Sequence, residues 1–184
     1  MRNNVPSSDK PRRPLRPLDE GRLRELAIRY VGRYATTRFK LAAYLARKLR
    51  ERGWEDGQPV DLEALVAKMD DLGFVDDEAY AGAKARALTA RGYGARRVAQ
   101  ALYVAGVGDE DRAEAEEGAR AAAFDSARNF ARKRRFGPFA AEAAEPDRRQ
   151  KQIAAFLRAG HDVRLARRFV DSAPGCVPEA EDDA

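Results

Sequence analysis

The sequence predicts an all-α protein of about nine helices, grouped as three tandem three-helix repeats. Three observations lead there. Alanine makes up 36 of the 184 residues, and Leu, Arg, Glu and Lys fill most other positions. These are strong helix formers. Alternating Val, Ile and Thr, the mark of strands, is almost absent. Finally, Gly53, Gly106 and Gly160 fall 53 and 54 residues apart, each after a short segment with a basic start and an apolar stripe. A recurrence of that length marks stacked helical units that share a continuous core.

The elements follow from their punctuation. Residues 1–17 hold Pro6, Pro11, Pro14 and Pro17 among five basic residues and one acid, Asp9. Such a segment buries too little apolar surface to order itself and reads as a disordered basic tail. Helix 1 is expected over 18–33. Thr36 or Thr37 caps helix 2, which runs to about Arg52 and stops at Gly53. Asp61 caps helix 3, ending near Gly73, and Asp76 or Asp77 caps helix 4, ending near Gly92. Helix 5 covers 95–106. Asp109 opens helix 6, and an Ala-rich stretch continues as helix 7 to about Arg135, where Gly137-Pro138 breaks it. Asp147 caps helix 8, which stops at Gly160, and Asp162 opens helix 9, ending near Asp171. The end of the chain, with four acids and no base over 179–184, reads as disordered. The division expected is a basic tail (1–17), repeats over 18–74, 75–117 and 118–173, and an acidic tail (174–184).

Composition narrows the function. One cysteine, Cys176, and one histidine, His161, leave no disulfide framework and no Cys/His zinc site within one chain. No apolar run reaches the ~18 residues of a membrane helix, and residues 1–17 carry no secretory h-region, so a reducing cytoplasm is the expected setting. There is no GxxxxGK[ST] phosphate loop, and Gly92-Tyr93-Gly94 follows no strand. His161, just past a helix-ending glycine, reads as a surface or capping residue. Asp70-Asp71 and Asp76-Asp77 are the densest carboxylates, and caps at a helix junction explain them better than a metal does. No catalytic residue, metal or cofactor is expected.

Charge is more informative. The chain carries +5, with 35 basic and 30 acidic residues. On a helical wheel, Leu41, Leu45 and Leu49 form one stripe of helix 2, with Lys40 and Arg47 opposite and Lys48 and Arg50 beside them. Helix 5 sets Val98, Ala101 and Leu102 against Arg96, and helix 8 sets Ile153, Phe156 and Leu157 against Lys151 and Arg158. The middle helix of each group therefore turns base outward. Residues 55–80 hold nine acids and one base, 109–117 six acids and one base, and 128–135 are again basic. Stacked repeats would sort these into basic and acidic faces. A basic face suits phosphate, with salt-sensitive affinity. Tyr93, Phe136, Phe139 and Trp54 lie near base and could stack nucleobases, although an aromatic just past a terminal glycine commonly packs on its own helix.

The ordered set Thr37-Arg38, Leu41, Tyr44-Leu45, Lys48-Leu49, Gly53; Leu72-Gly73-Phe74-Val75-Asp76-Asp77-Glu78, Tyr80-Ala81, Arg86; and Gly92, Gly94, Arg97-Val98, Leu102, Gly106-Val107 resembles the RecX family. The likeness spans 23–107, weakens over 111–139, and returns at Phe156-Leu157-Arg158-Ala159-Gly160. It departs in an Ala-rich insert over 140–146 and in His161, where an apolar residue is usual.

The resemblance implies an elongated, curved stack of three-helix repeats that regulates the bacterial RecA recombinase. Such proteins bind in the groove of the RecA filament on single-stranded DNA and suppress ATP hydrolysis, strand exchange and coprotease activity, with no catalytic site of their own. A monomer is expected, with no membrane partner. The contact residues rest on charge and face. For DNA or the filament these are Arg38, Lys40, Arg47, Lys48, Arg86, Arg91, Arg96, Arg97, Arg132, Lys133, Arg134, Arg135, Lys151 and Arg158; for protein, Asp76, Asp77 and Glu78. Two other classes remain: a stand-alone nucleic-acid-binding helical protein, and an enzyme that uses Asp70 to Asp77 with a metal.

Overall fold

A computed structural model describes residues 16–180. Among the described residues nine α-helices follow one another: α1 Glu20–Val31, α2 Arg38–Arg52, α3 Leu62–Asp71, α4 Asp77–Ala90, α5 Ala95–Val104, α6 Asp109–Ala121, α7 Ala123–Arg134, α8 Pro146–Arg158 and α9 Val163–Val170. A single 3-10 turn, Gly137–Phe139, lies between α7 and α8. The described residues contain no strand, only one isolated pairing between Leu18 and Trp54.

Short polar side chains start five of the helices. Asp19, Thr37, Asp61 and Asp76 each accept a hydrogen bond from the backbone N–H three residues on, and Asp162 from the N–H two residues on. Each such cap contributes about 1 kcal/mol. The start of α8 differs from expectation. Glu145 precedes it without a side-chain cap, Pro146 occupies its first position, and Asp147 lies inside the first turn. Proline suits that place because its missing N–H would have had no intrahelical partner.

Three apolar clusters form the cores. Leu23, Ala27, Leu41, Leu45, Val66 and Met69 bury together from α1–α3, closed by Leu18 and Val75. Ala81, Ala85, Val98, Leu102 and Ala119 do the same in α4–α6. In α7–α9 the cluster is aromatic, with Phe130, Phe156 and Phe169 at its centre. The second cluster is built largely of alanine, which lets α4 and α6 approach closely. Leu157, expected on the apolar stripe of helix 8, is instead 41% exposed.

The groups join through their middle helices, end to end. Thr37, the N-cap of α2, donates its hydroxyl to the carbonyl of Ala105, the C-cap of α5, at 2.6 Å. Gly94, the N-cap of α5, donates its backbone N–H to Ala159, the C-cap of α8, at 3.0 Å, and Arg96 N–H reaches Gly160 O at 3.2 Å. Each joint sets an electropositive helix start against an electronegative helix end and satisfies carbonyls that a helix terminus leaves unpaired.

Close approach explains two glycines. A Cβ on Gly94 would lie 2.4 Å from Gly160 O, and one on Gly106 (φ +73°) would lie 2.3 Å from the Phe39 side chain. Elsewhere the column closes. At the end of α2, Leu18 N–H takes Gly53 O at 2.9 Å. At the start of α8, Pro146 has no N–H to offer.

His161 corrects the sequence reading most sharply. It is 2% exposed rather than on the surface. Its ring packs against both Phe130 and Phe156, 5.4 and 5.3 Å between centroids, and Nε2 is 3.0 Å from Gly92 O across the second joint. The basic tail expected over 1–17 lies mostly outside the described residues. Of its described part, Arg16 O accepts from Arg52 Nε and Pro17 O from Arg22. The acidic tail expected over 174–184 is described to residue 180. Gly175 N–H bonds Pro138 O, and Glu179 O accepts from Arg168.

Candidate nucleic-acid interface

A groove that runs along α5 from the second joint to the first gathers four cations. Lys40, in the first turn of α2, is half-buried rather than turned outward. Its Nζ donates to the Tyr80 hydroxyl at 2.6 Å and lies 4.7 Å from the centre of that ring. Tyr80 and Lys84 sit one turn apart on α4, so both face the same way. Arg91, just past α4, places its guanidinium 5.6 Å from the Tyr93 ring. Arg97, in the first turn of α5, bonds Gln100 Oε1 at 3.0 Å. Lys40, Tyr80, Lys84, Arg91, Tyr93 and Arg97 line one open groove of about 470 Å³.

No carboxylate lines this groove. Among the described residues, Lys40, Lys84, Arg91 and Arg97 form no ion pair. Four cations held this way keep their attraction for an outside anion, which internal pairing would have quenched. Lys133 Nζ donates to Arg91 O at 3.0 Å, bringing the basic end of α7 beside the groove. Exposed Arg132, Arg134 and Arg135 extend that charge; Arg135 adopts the left-handed conformation (φ 54°) that ends α7.

The other basic residues singled out from sequence do not all share this face. Arg47 and exposed α2 neighbours lie one to two turns along, where Glu51 pairs with Lys48 at 2.7 Å and Arg47 at 3.7 Å. The hydrogen bond from Lys48 holds the Glu51 carboxyl below its ordinary pKa. Arg96 points to Asp162 at 3.5 Å across the second joint. Lys151 and Arg158 are exposed on α8. Arg86 lies on the far side of α4, in a cleft shared with Asp76, Glu78, Asp111 and Glu114.

Arg38 and Asp77 meet each other rather than outside partners. Asp77 is 4% exposed and accepts from the Arg38 backbone N–H at 2.9 Å and from Nε at 3.3 Å. The same guanidinium reaches Asp70 at 3.3 Å and also bonds Asp111. Burial works against its charge, but the hydrogen bond and charge of Asp77, with Asp111 and Asp70, outweigh that and raise its pKa above that of an ordinary arginine. Asp76 is occupied as the α4 cap, and Glu78 is exposed. Of the four carboxylates over Asp70 to Asp77, Asp70 and Asp77 thus hold a guanidinium, and no three acidic, histidine or cysteine side chains among the described residues are placed to hold a metal ion.

The candidate stacking aromatics divide. Phe136 packs edge-on against Phe130 inside the third cluster, and Trp54 donates Nε1–H to Gln58 O. Phe139 lies under Arg132, 5.2 Å from its guanidinium. Only Tyr93 reaches the groove. The sequence reading missed Tyr80 and Lys84, although Tyr80, Lys84 and Leu88 at i, i+4 and i+8 mark a single stripe of α4 that was legible beforehand.

Comparison with known proteins agrees with this architecture. Residues 76–115 match a family model described as the second three-helix domain of RecX. A regulatory protein RecX from Myxococcus xanthus (strain DK1622) is 36% identical over 179 residues, covering 92% of this chain and 96% of that protein. The crystal structure of RecX from Lactobacillus salivarius superposes with a TM-score of 0.58 at 15% identity, over 82% of this chain and 94% of the other. A second crystal structure, of a regulatory protein RecX, gives 0.58 at 19% identity over 83% of this chain and 71% of the other. At these identities the two structures speak to the fold. No described helix is long and apolar enough to cross a membrane.

Proposed function

Because this chain belongs to the RecX family of regulatory proteins, we propose that it regulates the RecA recombinase, mainly as an inhibitor, by binding in the groove of the filament on single-stranded DNA. The observation that carries this reading is the groove along α5, which Lys40, Lys84, Arg91 and Arg97 line with no carboxylate among them. Cations so placed attract DNA phosphate or an acidic recombinase surface, and each phosphate neutralised releases counterions. The acidic side, with Asp76, Glu78, Asp111 and Glu114 along the α4–α6 cleft, faces basic parts of the recombinase such as its DNA-handling loops. Contact with neighbouring recombinase subunits opposes the movements that hydrolysis and strand exchange require, so ATP hydrolysis, strand exchange and coprotease activity all fall. The chain acts as a monomer in the cytoplasm and supplies no catalytic group. The three helix groups, α1–α3, α4–α6 and α7–α9, serve as the repeats that follow the filament; the second ends with α6 at Ala121, past the boundary at 117 expected from sequence.

The test compares binding to bare single-stranded DNA and to the same DNA coated with RecA, at physiological salt. Much tighter binding to the coated strand supports the reading. Equal or tighter binding to bare DNA or RNA, with no effect on the recombinase, makes the chain a stand-alone nucleic-acid binder instead.

A further inference from the structure

The groove is assembled from two groups of helices. Lys40 alone among its four cations comes from α2; Lys84 lies on α4, Arg91 just after it, and Arg97 on α5. The first joint therefore decides whether Lys40 stands opposite the other three. Two residues before Lys40, on the same turn of α2, Arg38 grips three carboxylates from three helices: Asp70 of α3, Asp77 of α4 and Asp111 of α6. Asp77 and Tyr80 are three residues apart on α4. The first turn of α2 thus holds the start of α4 twice, through Arg38 to Asp77 and through Lys40 to Tyr80.

We infer that Arg38 is a positioning residue for the basic groove: it locks α2 against α4 and α6 so that Lys40 meets Lys84, Arg91 and Arg97, while making no contact with what the groove binds. The inference rests on the groove reading above. An arginine fork suits this role, because its planar array of donors can bond separate carboxylates at once, whereas a lysine offers a single compact charge. Removing the fork also strands a buried carboxylate, because the Asp77 side chain is 2% exposed. Lys40 then keeps its charge but loses its place.

Charge and position make opposite predictions, so the experiment can separate them. Binding of a fluorescent oligothymidylate of about 20 nucleotides is measured at low salt by anisotropy, with circular dichroism as the folding check. Arg38→Lys conserves net charge, and Asp111→Asn makes the protein more positive. If Arg38 acted only through its charge or by touching phosphate, Arg38→Lys would bind like wild type and Asp111→Asn would bind more tightly. Positioning predicts that both weaken binding, by at least about threefold. It also predicts that Arg38→Lys adds no further loss once Lys40→Gln is present. Asp111, whose side chain is 30% exposed, gives a variant that leaves the Arg38–Asp77 pair intact, so the inference stays testable even where Arg38→Lys folds poorly.

Wild-type binding by a folded Arg38→Lys variant, tighter binding by Asp111→Asn, or equal losses from Arg38→Lys with and without Lys40 overturns the inference. Undiminished binding by Lys84→Gln/Arg91→Gln/Arg97→Gln overturns the groove reading, and the inference falls with it. A weakened triple variant beside a wild-type-like Arg38→Lys overturns the inference alone.

Discussion

The hydroxyl of Thr37 does two tasks at one joint: it accepts the Lys40 N–H at 3.2 Å to cap α2, and it donates to Ala105 O at 2.6 Å to hold the end of α5. The residue is fully buried. Thr37→Val keeps the shape and removes both bonds, leaving a buried carbonyl and a half-buried N–H short of a partner. The expected loss is about 2 kcal/mol, read from the urea midpoint at unchanged slope. A midpoint within error of wild type would show that the joint bond contributes nothing net.

Backbone contact at the second joint predicts a contrast between two glycines. Gly94→Ala drives a methyl group against Gly160 O, 2.4 Å away, whereas a Cβ on Gly57 meets nothing within 4 Å. Gly94→Ala should cost about 1–3 kcal/mol or more as the helix ends separate, and Gly57→Ala should be close to neutral. Thermal unfolding of both variants measures the difference.

Burial of His161 predicts acid sensitivity at the same joint. Desolvation lowers its pKa, and the hydrogen bond with Gly92 only partly opposes this. With Nε2 donating to Gly92 O, Nδ1 is left buried without a partner, so a second proton would have no acceptor there. The unfolded chain takes up a proton near pH ~6.5 while the folded chain does so only at lower pH. Stability is therefore full above that value and declines as pH falls toward the folded-state pKa. Denaturant unfolding at successive pH values from neutral to mildly acid should show this decline, and His161→Leu should flatten it. An equal decline in both proteins would place the proton uptake elsewhere.

The helices were readable because their signals are local. Thr37, Asp61, Asp76 and Asp162 are short polar residues just ahead of helix-forming segments, and each caps the N–H two or three residues on. Burial at a joint is not local. Nothing around His161 in sequence indicates that Gly92, 69 residues away, and the rings of Phe130 and Phe156 enclose it. The same reason hid the character of Arg38. A helical wheel assigns it a direction on α2, but its partners Asp70, Asp77 and Asp111 arrive from later helices. Charge and helix face singled out Lys40, Arg91 and Arg97, and the structure brings those three together with Lys84, which charge and face did not single out.

The groove makes a quantitative prediction about salt. Replacing Lys84, Arg91 and Arg97 by glutamine removes three cations from one surface while leaving the three buried clusters untouched. If each meets a phosphate of a single strand, the slope of log affinity against log salt should shrink by about 0.7 per cation, or about 2 units for the three. Isothermal or anisotropy titrations at several salt concentrations give that slope. A weaker affinity at unchanged slope would assign these residues to contacts other than phosphate.

The most direct measurement is ATP hydrolysis by RecA on single-stranded DNA, with this protein titrated from well below one copy per recombinase. The account predicts strong inhibition by the wild-type chain at low ratio. It also predicts that Lys40→Glu/Arg97→Glu, folded by circular dichroism, inhibits little. Inhibition by that variant equal to wild type would contradict the assignment of the groove. No inhibition by the wild-type chain at equimolar ratio, together with tight binding to bare nucleic acid, would contradict the account as a whole.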